Sequence, residues 1–238
     1  MNVSRAFFYP FDDPDWFNKL AITTVITLLA LVFTPLLVGF LGWAALLGYM
    51  VELVRNVRTG VKYPMPLWND FNRHLSAGFN VLAAAVVYIL PTAVLGCVST
   101  ILGQNLSSGL IGSTLVLALS CCLFPLLLVY NLVVLPMFAL GLGRYVEDPR
   151  MNVFFEFSYL FESLRQHLDR VLQWWLAALV ANIVFFIMLV IPVLGWVTFA
   201  ALLVPTYGML SGQFALLMLG KLKDHKPKPA APAPSRYR

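Results

Sequence analysis

Three histidines and three cysteines are the residues of this 238-residue chain whose types could ligate a metal ion or act as nucleophiles. A zinc site needs such groups at ligand spacing, and a disulfide framework needs spaced pairs. Cys97, Cys121 and Cys122 instead sit inside apolar runs, where they read as small packing residues. His74 and His167 lie near Arg73 and Arg165 at the edges of such runs, which suits anchoring at a membrane interface; His225 is in a basic tail. Glu52 and Arg55, three apart at a helix end, read as a local ion pair, with a gating or ligand role as the alternative. The most polar residues inside the apolar runs are Asn131 and Asn182, followed by Tyr130 and Gln213. An amide in lipid needs a partner, usually across a helix interface. Lining a solute path is the competing role. Catalysis within a membrane ordinarily uses buried ionisable groups. The apolar runs contain no Asp, Glu, Lys or Arg, and no Gly-rich phosphate loop or Ser/His/Asp set occurs. The chain therefore reads as a non-enzyme with no cofactor, no metal and no nucleic-acid partner.

The elements that would position these residues follow from the distribution of charge. Leu75 to Gly143 runs sixty-nine residues without Asp, Glu, Lys or Arg. Leu20–Val51 and Val171–Gly220 add charge-free runs of 32 and 50 residues. The chain is 60% hydrophobic and 11% charged, where a soluble domain carries about 25% charged residues. A helix of about 20 apolar residues crosses a bilayer. Helices are the default because lipid cannot satisfy free backbone groups. The expected fold class is all-α: a polytopic transmembrane helical bundle over 20–221, with six spans. The spans form three hairpins, at about 17–57, 76–146 and 171–221, joined by interfacial amphipathic helices.

Residues 1–19 read as an N-terminal interfacial segment. They hold Asp12, Asp13 and Asp15 and lack a small-residue cleavage site, so they are expected to be retained rather than removed as a signal peptide. Asp13-Pro14 resembles a helix start. Trp16 suits the aromatic belt, and Lys19 can snorkel. As one helix, the run after Lys19 would be about 48 Å long, too long for a hydrocarbon core of about 30 Å. A break at Thr34-Pro35 leaves spans Phe17–Phe33 and Leu36–Val57; one long helix is the alternative. Gly60 is a candidate C-cap. After Pro64 and Pro66, Leu67–His74 starts a short helix with interfacial Trp68. Spans follow at about 76–102 and 110–146, joined by Gly103–Gly109, with kinks expected at Pro125 and Pro136. Phe154, Phe157, Leu160, Phe161 and Leu164 recur at helical spacing, so an amphipathic helix should lie on the membrane face, or else dock a partner. The last spans, 171–191 and 195–221, precede a disordered, basic, Pro/Ala-rich tail at 222–238. Such a tail is attracted to anionic lipid in a generic way.

With six spans, all sixteen Lys and Arg and all eleven acids fall on one side, Glu52 lying just inside the membrane edge. The turns near Pro35, Gly103–Gly109 and Pro192–Gly195 carry no charge. By the positive-inside rule the charged side, with both termini, is cytoplasmic.

The three charge-free runs look like one unit used three times. Trp16-Phe-Asn-Lys-Leu20, Phe71-Asn-Arg-His-Leu75 and Leu164-Arg-Gln-His-Leu168 precede them, and Pro35, Pro91 and Pro192 recur near the turns or first-span ends. The second spans share a small-xxx-small spacing: Ala44/Gly48, Ala139/Gly143 and Gly208/Gly212. Small residues at that spacing let helices approach closely in lipid.

Further motifs lie near the start: Phe8-Tyr-Pro-Phe-Asp-Asp-Pro-Asp-Trp16, Gly48-Tyr49, Arg55-Asn-Val-Arg58-x-Gly60, Pro66-Leu-Trp68-Asn-Asp70, and Gly78. On these the chain resembles the prokaryotic membrane proteins grouped as domain of unknown function 4013. Met65 stands where that pattern often has Leu before the proline. The resemblance implies a six-span-like membrane protein with no agreed activity and carries over no catalytic residue; the expected location is the cytoplasmic membrane of a prokaryote. The expected function is a non-enzymatic membrane subunit or scaffold, a homo-oligomer or a partner of another membrane protein. A small-solute transporter or channel is the alternative. In a background lacking native cysteines, Ser107→Cys should react with an impermeant maleimide in intact cells, and Ser235→Cys only after permeabilisation. Equal labelling of both would overturn the six-span topology.

Overall fold

The computed structural model describes residues 1–106 and 109–222. Of the tail expected to be disordered, 222–238, all but Leu222 lies outside the described residues, as does the middle of the 103–109 turn. Every regular element described is helical: α1 (Val3–Phe8), α2 (Trp16–Phe33), α3 (Gly39–Thr59), α4 (Phe71–Leu106), α5 (Leu110–Glu147), α6 (Phe157–Gln166), α7 (Leu168–Val190) and α8 (Leu194–Leu219). Six of them, all but α1 and α6, are long and apolar enough to cross a membrane. The first apolar run is thus two helices.

The turns explain where the helices stop. Thr34-Pro35-Leu36 forms a 3-10 turn, and Leu37 takes the left-handed conformation at φ 63°. A Cβ at Gly39 would sit 2.3 Å from the Thr34 nitrogen, so only glycine fits where α3 folds back on α2. Gly60, at φ 78°, caps α3, with its own N–H and that of Val61 donating to carbonyls of the last turn. Leu67–Asp70 is not helical. Pro64 and Pro66 keep this stretch extended, and Asp70 accepts from the Arg73 N–H at 3.2 Å to open one continuous α4. The short separate helix expected at Leu67–His74 is therefore the irregular lead-in to α4. Similarly, the amphipathic α6 begins only at Phe157. Its Leu160 and Leu164 are buried, whereas Phe157 and Phe161 are exposed. Phe154, expected on the same helix, sits in a preceding 3-10 turn, fully buried.

The core is built around α3, which packs most extensively against α4 and α8. Backbones touch at the α3–α4 crossing. A Cβ at Gly48 would lie 1.7 Å from the His74 carbonyl oxygen, and one at Gly78 would lie 1.6 Å from that of Ala44. Ala44 is fully buried at the same crossing. On the other side of α3, Gly208 faces Leu53 and Gly212 faces Val57, with hypothetical Cβ contacts of 2.5 and 2.8 Å. Gly143 meets Ala215 of α8 at 2.5 Å in the same sense, and Ala139 is buried in the core one turn earlier.

The N-terminal segment, read from sequence as interfacial, is seated against the bundle. Ala6, Phe7 and Tyr9 are buried with Ala177, Phe185 and Leu202 of α7 and α8. Phe7 meets Phe185 at 5.4 Å between ring centroids. The Tyr9 hydroxyl donates to the Pro205 carbonyl at 3.2 Å, and the Asn2 N–H donates to the Gln213 side chain at 2.8 Å. Burial, reinforced by nearby Tyr49 and Asp13, pushes the Tyr9 hydroxyl well above its ordinary pKa.

Close packing at the α3–α4 crossing makes a test. Gly78→Ala places a methyl inside the opposing backbone and should cost at least about 1–3 kcal/mol, the usual cost of overpacking. Gly96→Ala on the same helix meets nothing within 4 Å and should be neutral or better. Thermal unfolding in detergent measures both, and equal midpoints for the two would refute the crossing.

Candidate binding cleft at the charged end

Arg58 ties together the ends of three helices. Its side chain is fully buried. Nη1 donates to the Gly143 carbonyl of α5 at 2.9 Å, and Nε and Nη2 donate to the Gly220 carbonyl beyond α8 at 3.2 and 3.1 Å. Nη2 also pairs with the half-exposed Glu147 carboxylate. The Leu222 N–H returns a bond to the Arg58 carbonyl at 3.2 Å. Carbonyls near helix C-termini lack helical partners and carry partial negative charge, so a guanidinium suits them.

Beside this clamp the extended segment Pro64–Leu67 crosses the ends of α2, α3 and α4. Three of its four carbonyls are each taken by a side chain from a different helix. Asn56 of α3 donates to Pro64 at 2.9 Å, and Lys19 of α2 donates to Met65 at 3.2 Å. A ring nitrogen of His74 in α4 lies 3.0 Å from the Leu67 carbonyl. Lys19 also forms a buried ion pair with Asp13 at 2.7 Å. The Trp68 indole stacks on Tyr49, with centroids 4.7 Å apart, and donates to the Thr23 hydroxyl at 3.2 Å. Glu52 lies between His74, at 3.6 Å, and Arg73, at 3.8 Å. Asp13, Lys19, Glu52, Asn56, Arg73 and His74 border an open polar cleft of about 520 Å³.

Several readings from sequence change here. Glu52 pairs with Arg73 and His74 rather than with Arg55, because α4 packs so close to α3 that its first turn outcompetes the local i,i+3 partner. Arg55 has no carboxylate partner among the described residues. Trp68 is half-buried between Tyr49 and His74 rather than at a lipid boundary, and His74 is buried rather than an interfacial anchor. Trp16 is partly exposed and meets Phe11 and Phe17 edge-on. Asp13 spends its carboxylate on Lys19 and on the Asp15 N–H, and α2 begins only at Trp16. Lys19 is buried, not snorkelling.

Both mid-helix amides bond their own helix and also reach across a helix pair. Asn131 bonds the Leu127 carbonyl and reaches Thr92 of α4 at 3.3 Å. Asn182 donates to the Ala178 carbonyl, and its side chain also meets the Tyr207 hydroxyl of α8. Tyr130 donates to the Tyr88 carbonyl across the α4–α5 pair at 2.9 Å.

Lys19 and Arg58 were missed as site residues in the sequence. Their signals were a lysine at the start of a span and an arginine two residues before a capping glycine. Both patterns read equally well as solvated helix ends. The motifs spread over the first 80 residues do converge: Tyr9, Asp13, Tyr49, Arg58 and Trp68 all line or support this end of the bundle. Chemically the cleft offers paired charges, amides and backbone carbonyls, which suits holding a polar group. Among the described residues no three His, Cys, Asp or Glu side chains gather to hold a metal ion.

The Asp13–Lys19 pair is testable. Asp13→Asn leaves a buried ammonium without its countercharge, and losing one partner of such a pair costs about 3–5 kcal/mol. Asp15→Asn, at an exposed position, should change the unfolding midpoint little. A tolerated Asp13→Asn would mean the pair does not hold the N-terminal segment.

No curated protein and no solved structure matches the chain. The family described as protein of unknown function DUF4013 matches residues 28–199, and the chain belongs to that family.

Proposed function

We propose that the protein is a non-enzymatic membrane subunit that associates, through its α4–α5 hairpin, with a second copy of itself. The observation that carries this reading is the mismatch between that hairpin and its own bundle. α4 and α5 have 36 and 38 residues, or about 54 and 57 Å at 1.5 Å per residue. In the most apolar stretch of α5 none of the described residues is buried, while at least half are in α3 and α8. Large apolar side chains such as Ile101, Leu117 and Phe124 are exposed along the hairpin. At its base an apolar groove of about 880 Å³ opens between α3, α4 and α5, lined by Phe40, Trp43, Val86, Leu90, Val134 and Phe138.

Lipid would cover such surfaces, but a groove between helices also accepts a helix, and van der Waals packing drives helix association in lipid. The amides support a subunit over a conduit. Asn131 borders that groove, but its amide is already bonded to Leu127 and Thr92, and Asn182 bonds the Ala178 carbonyl. The orientation proposed is the one the positive-inside rule gives, with the polar cleft and both ends of the chain on the cytoplasmic side of a prokaryotic inner membrane.

Cys97, Cys121 and Cys122 are free and exposed on this hairpin and serve as native probes. Oxidation with copper phenanthroline in native membranes should give a species of twice the monomer mass on a non-reducing gel. Replacing all three with Ser should abolish it, and light scattering in mild detergent should give a dimer. A monomer by both measures would overturn the reading, and so would proton-driven solute uptake in reconstituted vesicles abolished by Asn131→Leu with stability intact.

A further inference from the structure

A second cleft, of about 460 Å³, lies beside the polar one, between α1 and the C-terminal ends of α3 and α8. Three cations border it: Arg5, Lys62 and Lys221. Among the described residues no acidic side chain lines it. All three side chains are exposed, and none has a carboxylate partner among the described residues. Arg58, Lys19, Arg73, Arg144 and Arg150 all do. The cleft wall is apolar, from Val57, Met209 and Leu216, and Gly60 leaves it open for want of a side chain.

From this geometry we infer that the cleft binds the phosphate headgroup of an anionic phospholipid, with the first carbons of its acyl chains against Val57, Met209 and Leu216. Helix C-termini would ordinarily repel an anion, each carrying about half a negative charge. Here those ends are already neutralised. Arg58 occupies the Gly220 carbonyl, and the N–H groups of Gly60 and Val61 occupy the last carbonyls of α3. Three full charges with no carboxylate partner among the described residues then dominate the local field. A free phosphate would be drawn by the same cations. The apolar wall, placed where two apolar helices end, favours the lipid as its source. Basic pockets between helix ends are a recognised way to hold anionic headgroups. Each cation near a charged surface is worth about fivefold in affinity, so removing three should cost on the order of a hundredfold.

The test uses the full-length protein in neutral detergent micelles, with lipid binding counted by native mass spectrometry. Dihexanoyl-phosphatidylglycerol should bind at least tenfold more tightly than dihexanoyl-phosphatidylcholine. The combined variant Arg5→Gln, Lys62→Gln, Lys221→Gln should lose that preference while eluting as folded protein. A control variant with Lys223, Lys226 and Lys228 changed to Gln, in the basic tail, should keep it. Equal binding of the two lipids would overturn the assignment, as would an unaffected triple variant or loss of preference in the tail variant. Glycerol phosphate binding as tightly as the phosphatidylglycerol would overturn the lipid source.

Discussion

The Arg58 guanidinium is the largest fully buried side chain among the described residues, and the charged end of the bundle is organised by it. A buried cation is tolerable only when hydrogen-bonded and paired. Arg58 meets that demand with carbonyls from two other helices and one carboxylate, which obliges α3, α5 and α8 to end at the same level. The planar fork of an arginine can reach these acceptors at once, where a lysine ammonium offers a point charge. Two residues on, Gly60 turns the chain away in the left-handed conformation, which glycine adopts without steric cost.

Close helix approach supplies the second constraint. α3 carries Ala44 and Gly48 where its backbone touches α4, and it meets α8 at glycines on the partner. Apolar lipid gives no hydrophobic reward for bringing helices together, so association depends on contact area and on hydrogen bonds. Small residues increase contact by letting backbones touch. The same proximity carries the first turn of α4 within reach of Glu52, which is why His74 and Arg73 displace the sequence neighbour Arg55.

The extended segment after α3 shows how an irregular stretch is stabilised at the edge of such a bundle. Two prolines remove donors, but the carbonyls remain and would be costly if buried unpaired. Asn56, the Asp13-bound Lys19 and His74 satisfy those of Pro64, Met65 and Leu67. The polar cleft is bordered by these same groups, so its shape depends on three helices and the N-terminal segment together.

Long charge-free runs, proline and glycine punctuation, and the excess of small residues on second spans were legible in the sequence by themselves. They determine local matters: a run without charges must be helical in lipid, Pro35 ends α2, and Gly60 ends α3. Only the tertiary structure decided which charged residue meets which. Asp13, Lys19, Glu52, Arg58, His74 and Glu147 all lie near helix ends, where solvation and pairing look alike in one dimension. Partner choice there depends on ångström-scale separations across helices, set by whether glycine or a larger residue occupies the crossing. The seating of α1 was likewise invisible. Its apolar residues suit a lipid interface and a protein groove equally, and the choice rests on the Pro205 carbonyl that accepts Tyr9 and on the Gln213 side chain that meets Asn2. A sequence carries the pattern of apolar surface; where that surface is covered depends on the shape of what it meets.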